Sequence, residues 1–486
     1  MRLSELFREV EFDGSIKNDA DINLVTDDSR LVRPGSLFVC IRHRSFDGHT
    51  AALDALASGA AAVVTQDRLG LENELRVADS RSAYARLCAA LCNHPERKLR
   101  MIGVTGTNGK TTVTTLIRNI LSDSGTKTLL TGTVCNRLGD ENLPSGLTTP
   151  KPPELYSLLS RAVSQRCKAC VMEASSQALA QGRLEGIDFD AAVFTNITRD
   201  HLDYHGTFEN YISAKKKLFE HSALSIVNLD DPRANEIIAA SKGKIITFST
   251  VLDCADYTAK NISLLSDCVR FELVSKGHIE HIEFASPGLF SVSNAMAAAV
   301  CAINLGIEPK DAAQSLAKSK SVCGRLERVE CSAPYSVIID YAHTSDGLEQ
   351  VLRALRPSCR GKLIVLFGCG GDRDRTKRPL MGAAACKYAD KIIVTSDNPR
   401  SEDPIKIIGD ILKGTDKKRR DLFVEPDRRK AIALALKTAE PGDTVLLAGK
   451  GHEKYQLIGG EKLPLDERET VRKILGLPHD TGRKKQ

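Results

Sequence analysis

The run Gly103-Val104-Thr105-Gly106-Thr107-Asn108-Gly109-Lys110-Thr111-Thr112 carries an apolar segment through a glycine-rich turn into a helical one. The residues before the turn, Arg100-Met101-Ile102-Gly103-Val104, read as a short strand, and those from Lys110 to about Ser122 as a helix. Glycines let backbone N–H groups turn toward a phosphate, and a helix start adds partial positive charge. Lys110 would reach the outer phosphates, and a hydroxyl of Thr111 or Thr112 would hold magnesium. The strict GxxxxGK spacing fails, because Val104 stands where the first glycine belongs. The order strand, glycine loop, GKTT and helix is nevertheless kept. A loop of this kind implies a bound nucleotide and leaves the reaction open.

Outward from this loop the rhythm of strand and helix continues. Strand candidates end at Glu173, Asn196, Asn228 and Phe248, with helical stretches between them. A second series follows Gly324-Arg325: Val337–Tyr341, Leu363–Phe367, Ile392–Thr395 and Val445–Ala448. Alternation of this kind predicts parallel, doubly wound sheets, whose ligands bind at the carboxyl ends of the strands. The first hundred residues hold shorter apolar runs broken by turns. A chain of 486 residues suggests three domains at roughly 100–200 residues each. The expectation is an α/β fold in three parts. These are a small mixed α/β N-terminal domain (1–97), a central P-loop-type domain with a parallel sheet (98–328) and a C-terminal Rossmann-like domain (329–486).

Composition excludes several classes. Charged residues at 27% and apolar residues at 42% are ordinary for a globular chain, so disorder is not expected. No apolar stretch reaches the ~18–20 residues of a membrane helix, and acids come too early for a secretory signal. The net charge of +6 is mild for this length and is not laid out as a basic stripe, so no nucleic acid is expected. The 14 cysteines are scattered, and Cys167-Lys168-Ala169-Cys170 lacks a second pair for zinc. A reducing cytoplasm and a monomer without membrane insertion are expected.

Three polar residues stand where apolar or bland ones would be expected. Glu173 ends the run Ala169-Cys170-Val171-Met172, placing a carboxylate beside the phosphate loop. His201 lies in Asn196-Ile197-Thr198-Arg199-Asp200-His201-Leu202-Asp203, a dense polar loop at the next strand end. Lys215 falls on the stripe of Phe208, Tyr211 or Ile212, and Leu218 or Phe219, whereas Lys216 and Lys217 fall off it. An ammonium on a buried face must pair with an anion, reach water along its stem, or be chemically changed.

The chain resembles the Mur ligases, the ATP-dependent amide ligases of peptidoglycan synthesis. The matching runs are Val104–Thr112, Met172–Leu179, Phe194–Gly206, Ala214–Phe219, Asp340–Leu348, Phe367–Gly382, Ser396–Pro404 and Gly449–Gln456. The resemblance implies a UDP-substrate domain, an ATP domain and an amino-acid domain in that order. ATP would phosphorylate the carboxylate of UDP-N-acetylmuramoyl-L-alanyl-D-glutamate, and an amine would displace phosphate. It implies that Thr111, Glu173, His201 and Lys215, the last as a carbamate formed with CO2, hold Mg2+, and that Lys110 stabilises the transferred phosphoryl group. Asn294 and Arg325 would contact ATP. Ser29 and the Arg44-Ser45-Phe46 loop would contact the uridine nucleotide, and Thr148, Thr149, Ser175, Gln181 and Arg183 the muramoyl peptide. Lys377, Arg378 and Asp340-Tyr341-Ala342-His343 would complete the closed site.

The loop Asp397-Asn398-Pro399-Arg400 is expected to choose the amino acid. A guanidinium can pair the far carboxylate of meso-diaminopimelate through two hydrogen bonds, which lysine cannot offer. By resemblance, Arg373, Gly449 and Glu453 contact the same substrate. Departures from the family pattern are Leu147, Gln177, Ser291, Ser345 and Thr376. Lysine as the amine, a folylpolyglutamate-synthetase-like ligase and a non-catalytic nucleotide-binding relative are the alternatives. Arg400, the N-terminal domain with Ser29, and the intact set Lys110, Glu173, His201 and Lys215 argue against them in turn.

Overall fold

Strands buried on both faces read as unbroken apolar runs, and three sheets are built largely from such runs. The computed structural model describes residues 1–43, 46–416 and 419–478. The N-terminal sheet is parallel, with β1 (Leu24–Thr26), β2 (Ser36–Val39), β3 (Ala60–Thr65) and β4 (Glu74–Arg76) in sequential order. The helix Ser80–Leu91, capped by the Asp79 side chain, packs on this sheet. Its core continues into one face of the central sheet, through Leu87, Tyr156 and Phe189 among others.

The central strands are β5 (Arg100–Thr105), β6 (Thr128–Thr131), β7 (Asn136–Leu138), β8 (Glu141–Leu143), β9 (Ala169–Glu173), β10 (Ala191–Phe194), β11 (Leu224–Asn228) and β12 (Lys244–Ser249). A meander of β13 (Tyr257–Leu264), β14 (Val269–Ser275) and β15 (His278–Phe284) completes them. The order is β15-β14-β13-β12-β11-β10-β5-β9-β6-β7-β8. The sheet is parallel from β13 to β6 and antiparallel at both edges. The meander was not anticipated from the sequence, whose first series of strand candidates ends at Phe248. Its strands alternate exposed and buried residues, as in His278-Ile279-Glu280-His281-Ile282-Glu283-Phe284, and so lack an apolar run. Strand β10 ends at Phe194 rather than Asn196. Asn196 instead leaves the ladder to serve the glycine loop: its carbonyl accepts from Thr107 N at 2.8 Å and its side-chain Oδ1 from Asn108 N at 3.0 Å.

The C-terminal sheet comprises β16 (Glu327–Val329), β17 (Ser336–Asp340), β18 (Leu363–Phe367), β19 (Lys391–Val394), β20 (Leu422–Val424) and β21 (Thr444–Ala448). Its order is β16-β17-β21-β18-β19-β20, parallel except for β16. The expected strands recur here within one residue at each end. A hairpin not anticipated from the sequence, β22 (Tyr455–Ile458) with β23 (Glu461–Pro464), follows β21. No helix among the described residues is long and apolar enough to cross a membrane.

Candidate active site

The glycine loop leaves β5 at the strand end and enters the helix Lys110–Asp123. Gly109 sits at φ +88°, and a Cβ there would stand 2.5 Å from Asn294 Oδ1, so the backbone conformation and the space both select glycine. Lys110 Nζ donates to Gly106 O at 2.8 Å and Thr107 O at 3.0 Å. Desolvation lowers its pKa, Glu173 opposes this, and Arg325 adds to it.

Strand β9 lies beside β5 with Glu173 opposite Val104. The Glu173 carboxylate is buried and accepts from Thr111 Oγ1 at 3.0 Å and Thr133 N at 2.8 Å, with Thr133 Oγ1 at 2.9 Å. Thr133 Oγ1 also lies 3.0 Å from Thr148 Oγ1. The residues expected to meet the muramoyl peptide form one network here. Thr149 Oγ1 donates to Glu173 O at 2.6 Å and lies 3.1 Å from Ser175 Oγ. Arg183 donates to Thr149 O at 2.7 Å and to Gln181, whose amide donates to Tyr204.

His201 takes a left-handed backbone at φ +54°, a state uncommon outside glycine that collects at functional sites. Its Nε2 is 3.4 Å from Asp200 Oδ2, and His343 from the C-terminal domain approaches the same oxygen at 3.9 Å. Burial would raise the Asp200 pKa, but His201, His343 and Lys377 together hold it at about 2. Desolvation pushes His201 down to about 4, against the pull of Asp200.

Lys215 is 1% exposed, so its ammonium does not reach water along the stem. It donates to Gly106 O at 2.8 Å and lies over the Tyr211 ring at 4.7 Å. No carboxylate forms an ion pair with it among the described residues. Burial, and then the neighbouring Lys110, place its pKa well below the ordinary lysine value.

A cavity of about 560 Å³ collects these groups. Lys110, Thr111, Thr112, Thr148, Thr149, Glu173, Ser175, Arg183, His201, Lys215, Asn294 and Arg325 line it, with Asp340, Tyr341, Ala342 and His343 on the C-terminal side. Arg325 Nη2 donates to Thr111 Oγ1 at 3.1 Å, while its guanidinium stacks on Tyr341 at 4.7 Å. Among the described residues no three His, Cys, Asp or Glu side chains converge as ready-made cation ligands. A magnesium ion that keeps phosphate and water ligands needs only one or two carboxylates. Glu173 beside the Thr111 hydroxyl fits that donor set, and unmodified Lys215 does not.

The expected amino-acid residues lie outside this cavity, behind Tyr341, whose ring is 5.0 Å from His452. Arg400 is also left-handed, at φ +53°, and its Nη1 donates to Gly371 O at 2.7 Å. Desolvation and the neighbouring Arg373 lower its pKa. A salt bridge to Glu402 does not form, because Arg378 and Arg375 occupy that carboxylate. Arg378 itself is 1% exposed, paired with Glu402 and Asp410, and does not line the cavity. Its guanidinium braces the Arg400 loop through Glu402.

Ser29 and Phe46 lie apart in the N-terminal domain, with Ser29 starting a short 3₁₀ turn and Phe46 exposed. Arg44 and Ser45 fall outside the described residues. Three residues with no assigned role line the cavity, Thr133, Asp200 and Asp346, and a fourth, Lys450, lies enclosed between the amino-acid loops. Asp200 and Asp346 sit inside polar runs at strand ends, which was their signal. Thr133 follows β6, and only the pairing of β6 with β9 carries it to Glu173.

A glycine loop at the end of a parallel sheet, roofed by a second doubly wound domain, defines an α/β nucleotide-binding architecture, and the chain belongs to the Mur ligase family. Residues 104–302 match the Mur ligase middle domain, residues 324–451 the Mur ligase glutamate ligase domain, and residues 21–90 the Mur ligase family catalytic domain. The chain is 43% identical over 479 residues to the UDP-N-acetylmuramoyl-L-alanyl-D-glutamate–2,6-diaminopimelate ligase of Caldanaerobacter subterraneus subsp. tengcongensis, covering 98% of this chain and 99% of that one. It is 42% identical over 487 residues to the protein of the same name from Syntrophomonas wolfei, again covering 98% and 99%. A solved structure of a ligase of that name superposes with TM-score 0.71 at 35% identity, covering 98% and 99% of the two chains.

Proposed function

We propose that this chain adds meso-2,6-diaminopimelate to UDP-N-acetylmuramoyl-L-alanyl-D-glutamate, at the expense of ATP, in cytoplasmic peptidoglycan synthesis. The observation that carries this reading is Arg400. It is a half-buried guanidinium with no ion pair to any described carboxylate, held by a backbone carbonyl in a loop braced by Arg378. A cation so placed suits a ligand carboxylate, and meso-diaminopimelate differs from lysine by one carboxylate. Relatives of that name at 43% and 42% identity support the same reading.

In this reading Ser29, Arg44, Ser45 and Phe46 hold the uridine nucleotide. Thr148, Thr149, Ser175, Gln181 and Arg183 place the D-glutamate carboxylate near Glu173. Gly106 to Thr112 cradle the ATP phosphates, and Asn294 and Arg325 position the rest of the nucleotide. Lys110 and Arg325 stabilise charge on the transferring phosphoryl group. The carboxylate attacks the terminal phosphorus, ADP leaves, and an acyl phosphate forms. The neutral amine of the amino acid then attacks the acyl carbon, and the tetrahedral intermediate expels phosphate. Arg373, Asp397, Asn398, Pro399, Arg400, Gly449 and Glu453 would hold the far end of that amino acid.

Lys215 takes a further role as a carbamate. A carbamate forms when neutral amine adds to CO2 and loses a proton, and the depressed pKa supplies the neutral amine. The product is an anion at a position where an ammonium is disfavoured by burial and by Lys110. Thr111, Glu173, His201 and the carbamate would then hold magnesium, which when bound neutralises charge between acyl and phosphoryl oxygens.

The test is phosphate release with the UDP-dipeptide and ATP, comparing meso-diaminopimelate with L-lysine. Release with diaminopimelate and little with lysine is expected. Equal turnover would remove the Arg400 argument, and no turnover with either would remove the proposed reaction.

A further inference from the structure

Only two lysines appear among the largest fully enclosed side chains of the described residues, Lys215 and Lys450. Their surroundings differ in kind. Lys215 has carbonyl, hydroxyl and ring partners. Lys450, 0% exposed, donates to Glu453 Oε2 at 2.6 Å and to Asn398 Oδ1 at 2.8 Å. Asn398 Nδ2 donates to the same Glu453 oxygen at 2.9 Å, which closes a ring of three side chains. Asn398 Oδ1 also accepts from Leu457 N at 2.9 Å, so the amide orientation is fixed: a flipped amide would set its NH2 against an ammonium.

The ring joins two loops that leave neighbouring parts of the C-terminal sheet. Asn398 belongs to the loop after β19 that carries Arg400. Lys450 and Glu453 belong to the loop after β21. Arg400 and Glu453 are close enough to act on each other electrostatically. A site for the far end of diaminopimelate, one carbon bearing an ammonium and a carboxylate, needs an anion and a cation at once. Those two protein charges must be kept from neutralising each other. The Gly371 carbonyl restrains Arg400. Both bonds to Glu453 fall on Oε2, and Oε1 takes no hydrogen bond among the described residues.

We infer that Lys450 is a positioning residue for the amino-acid substrate. Its enclosed ammonium holds Glu453 away from Arg400, keeping the carboxylate oxygen Oε1 for the ammonium of the substrate's far end. Lys450 contacts no substrate in this account. It acts through Glu453 and Asn398, and the inference rests on the reading of these loops as the diaminopimelate site.

The test is steady-state kinetics on Lys450→Met, Glu453→Gln and the double variant, in the full chain with all three substrates. Lys450→Met is expected to raise KM for diaminopimelate about tenfold, the effect of one charge-assisted hydrogen bond. Its kcat and its KM for ATP should change less than about threefold. The double variant should be no worse than Glu453→Gln alone, because Lys450 then has no charge left to restrain. If Lys450→Met fails to fold, Lys450→Gln, which keeps a donor, takes its place. An unchanged KM for diaminopimelate, a loss confined to kcat, or effects that multiply in the double variant would overturn the inference. If the wild-type chain does not use diaminopimelate at all, the underlying reading fails instead, and that is seen before any variant is made.

Discussion

Asn108 of the glycine loop donates its side-chain amide to Asp346 at 3.0 Å, joining positions 238 residues apart and tying the nucleotide loop to the C-terminal domain. The partner carboxylate is half-buried, and its pKa is raised by burial. Asp346→Ala removes the contact from the side of the roof. A hydrogen bond to a charged group contributes about 1.5–3 kcal/mol to stability, so the melting temperature should fall, and KM for ATP should rise by up to roughly tenfold as the loop loses its anchor. Titration of nucleotide binding beside a melting curve checks both.

Lys215→Ala should lose at least ~100-fold in kcat, corresponding to about 2.7 kcal/mol of transition-state stabilisation. Added short-chain carboxylates should restore part of it by supplying the missing anion. A ¹³C NMR carbamate signal from labelled bicarbonate, present in wild type and absent in the variant, checks the modification itself. Full activity in Lys215→Ala would discard the carbamate.

Arg400→Lys keeps the charge and loses the planar fork. At about 1.5–3 kcal/mol for the lost charge-assisted pairing, KM for diaminopimelate should rise ~10–100-fold. ATP binding should stay unchanged. The ratio of kcat/KM for diaminopimelate over lysine, measured in one assay, is the quantity that must fall.

Arg428 and Glu467 form an ion pair with both side chains 0% exposed. The same guanidinium donates to Ala448 O at 2.7 Å and Ser396 O at 3.3 Å, the backbone just before the two amino-acid loops. Removing one member of a buried pair leaves a bare charge, at about 3–5 kcal/mol. Glu467→Leu should therefore lower the unfolding free energy from a denaturant titration by that amount. A double change of Arg428 and Glu467 to apolar residues should cost less than the single one.

His452 is pushed down to about 4, by burial first and then by Arg325, Arg468 and Lys450, and its Nδ1 has no hydrogen-bond partner. An unfolded histidine titrates near ~6.5. Between roughly pH 6.5 and pH 4 the unfolded chain thus binds the extra proton, and stability falls as pH falls through that window. Above it this group changes nothing. Melting temperatures at pH 7.5 and pH 5 should drop further for wild type than for His452→Gln.

The sequence by itself determined the local features. Glycine spacing before Lys110, the apolar run ending in Glu173, and the helical stripe through Tyr211, Lys215 and Phe219 each depend on residues a few positions apart. There backbone geometry fixes which side chains share a face, so Lys215 was legible as buried before its surroundings were seen. The meander from β13 to β15 was not, because half-exposed strands carry alternation in place of an apolar run. The tertiary structure alone decided which charges meet. Arg378 and Arg400 look alike in the chain, yet Arg378 is committed to Glu402 and Asp410 while Arg400 is held by a carbonyl. Lys215 and Lys450 are both enclosed, yet Lys450 alone gains a carboxylate and, 52 residues away, an amide. The carboxylate stands three residues along the same loop, but the amide and the loss of water follow from the strand order β21-β18-β19, which brings the two loops to the same end of the sheet.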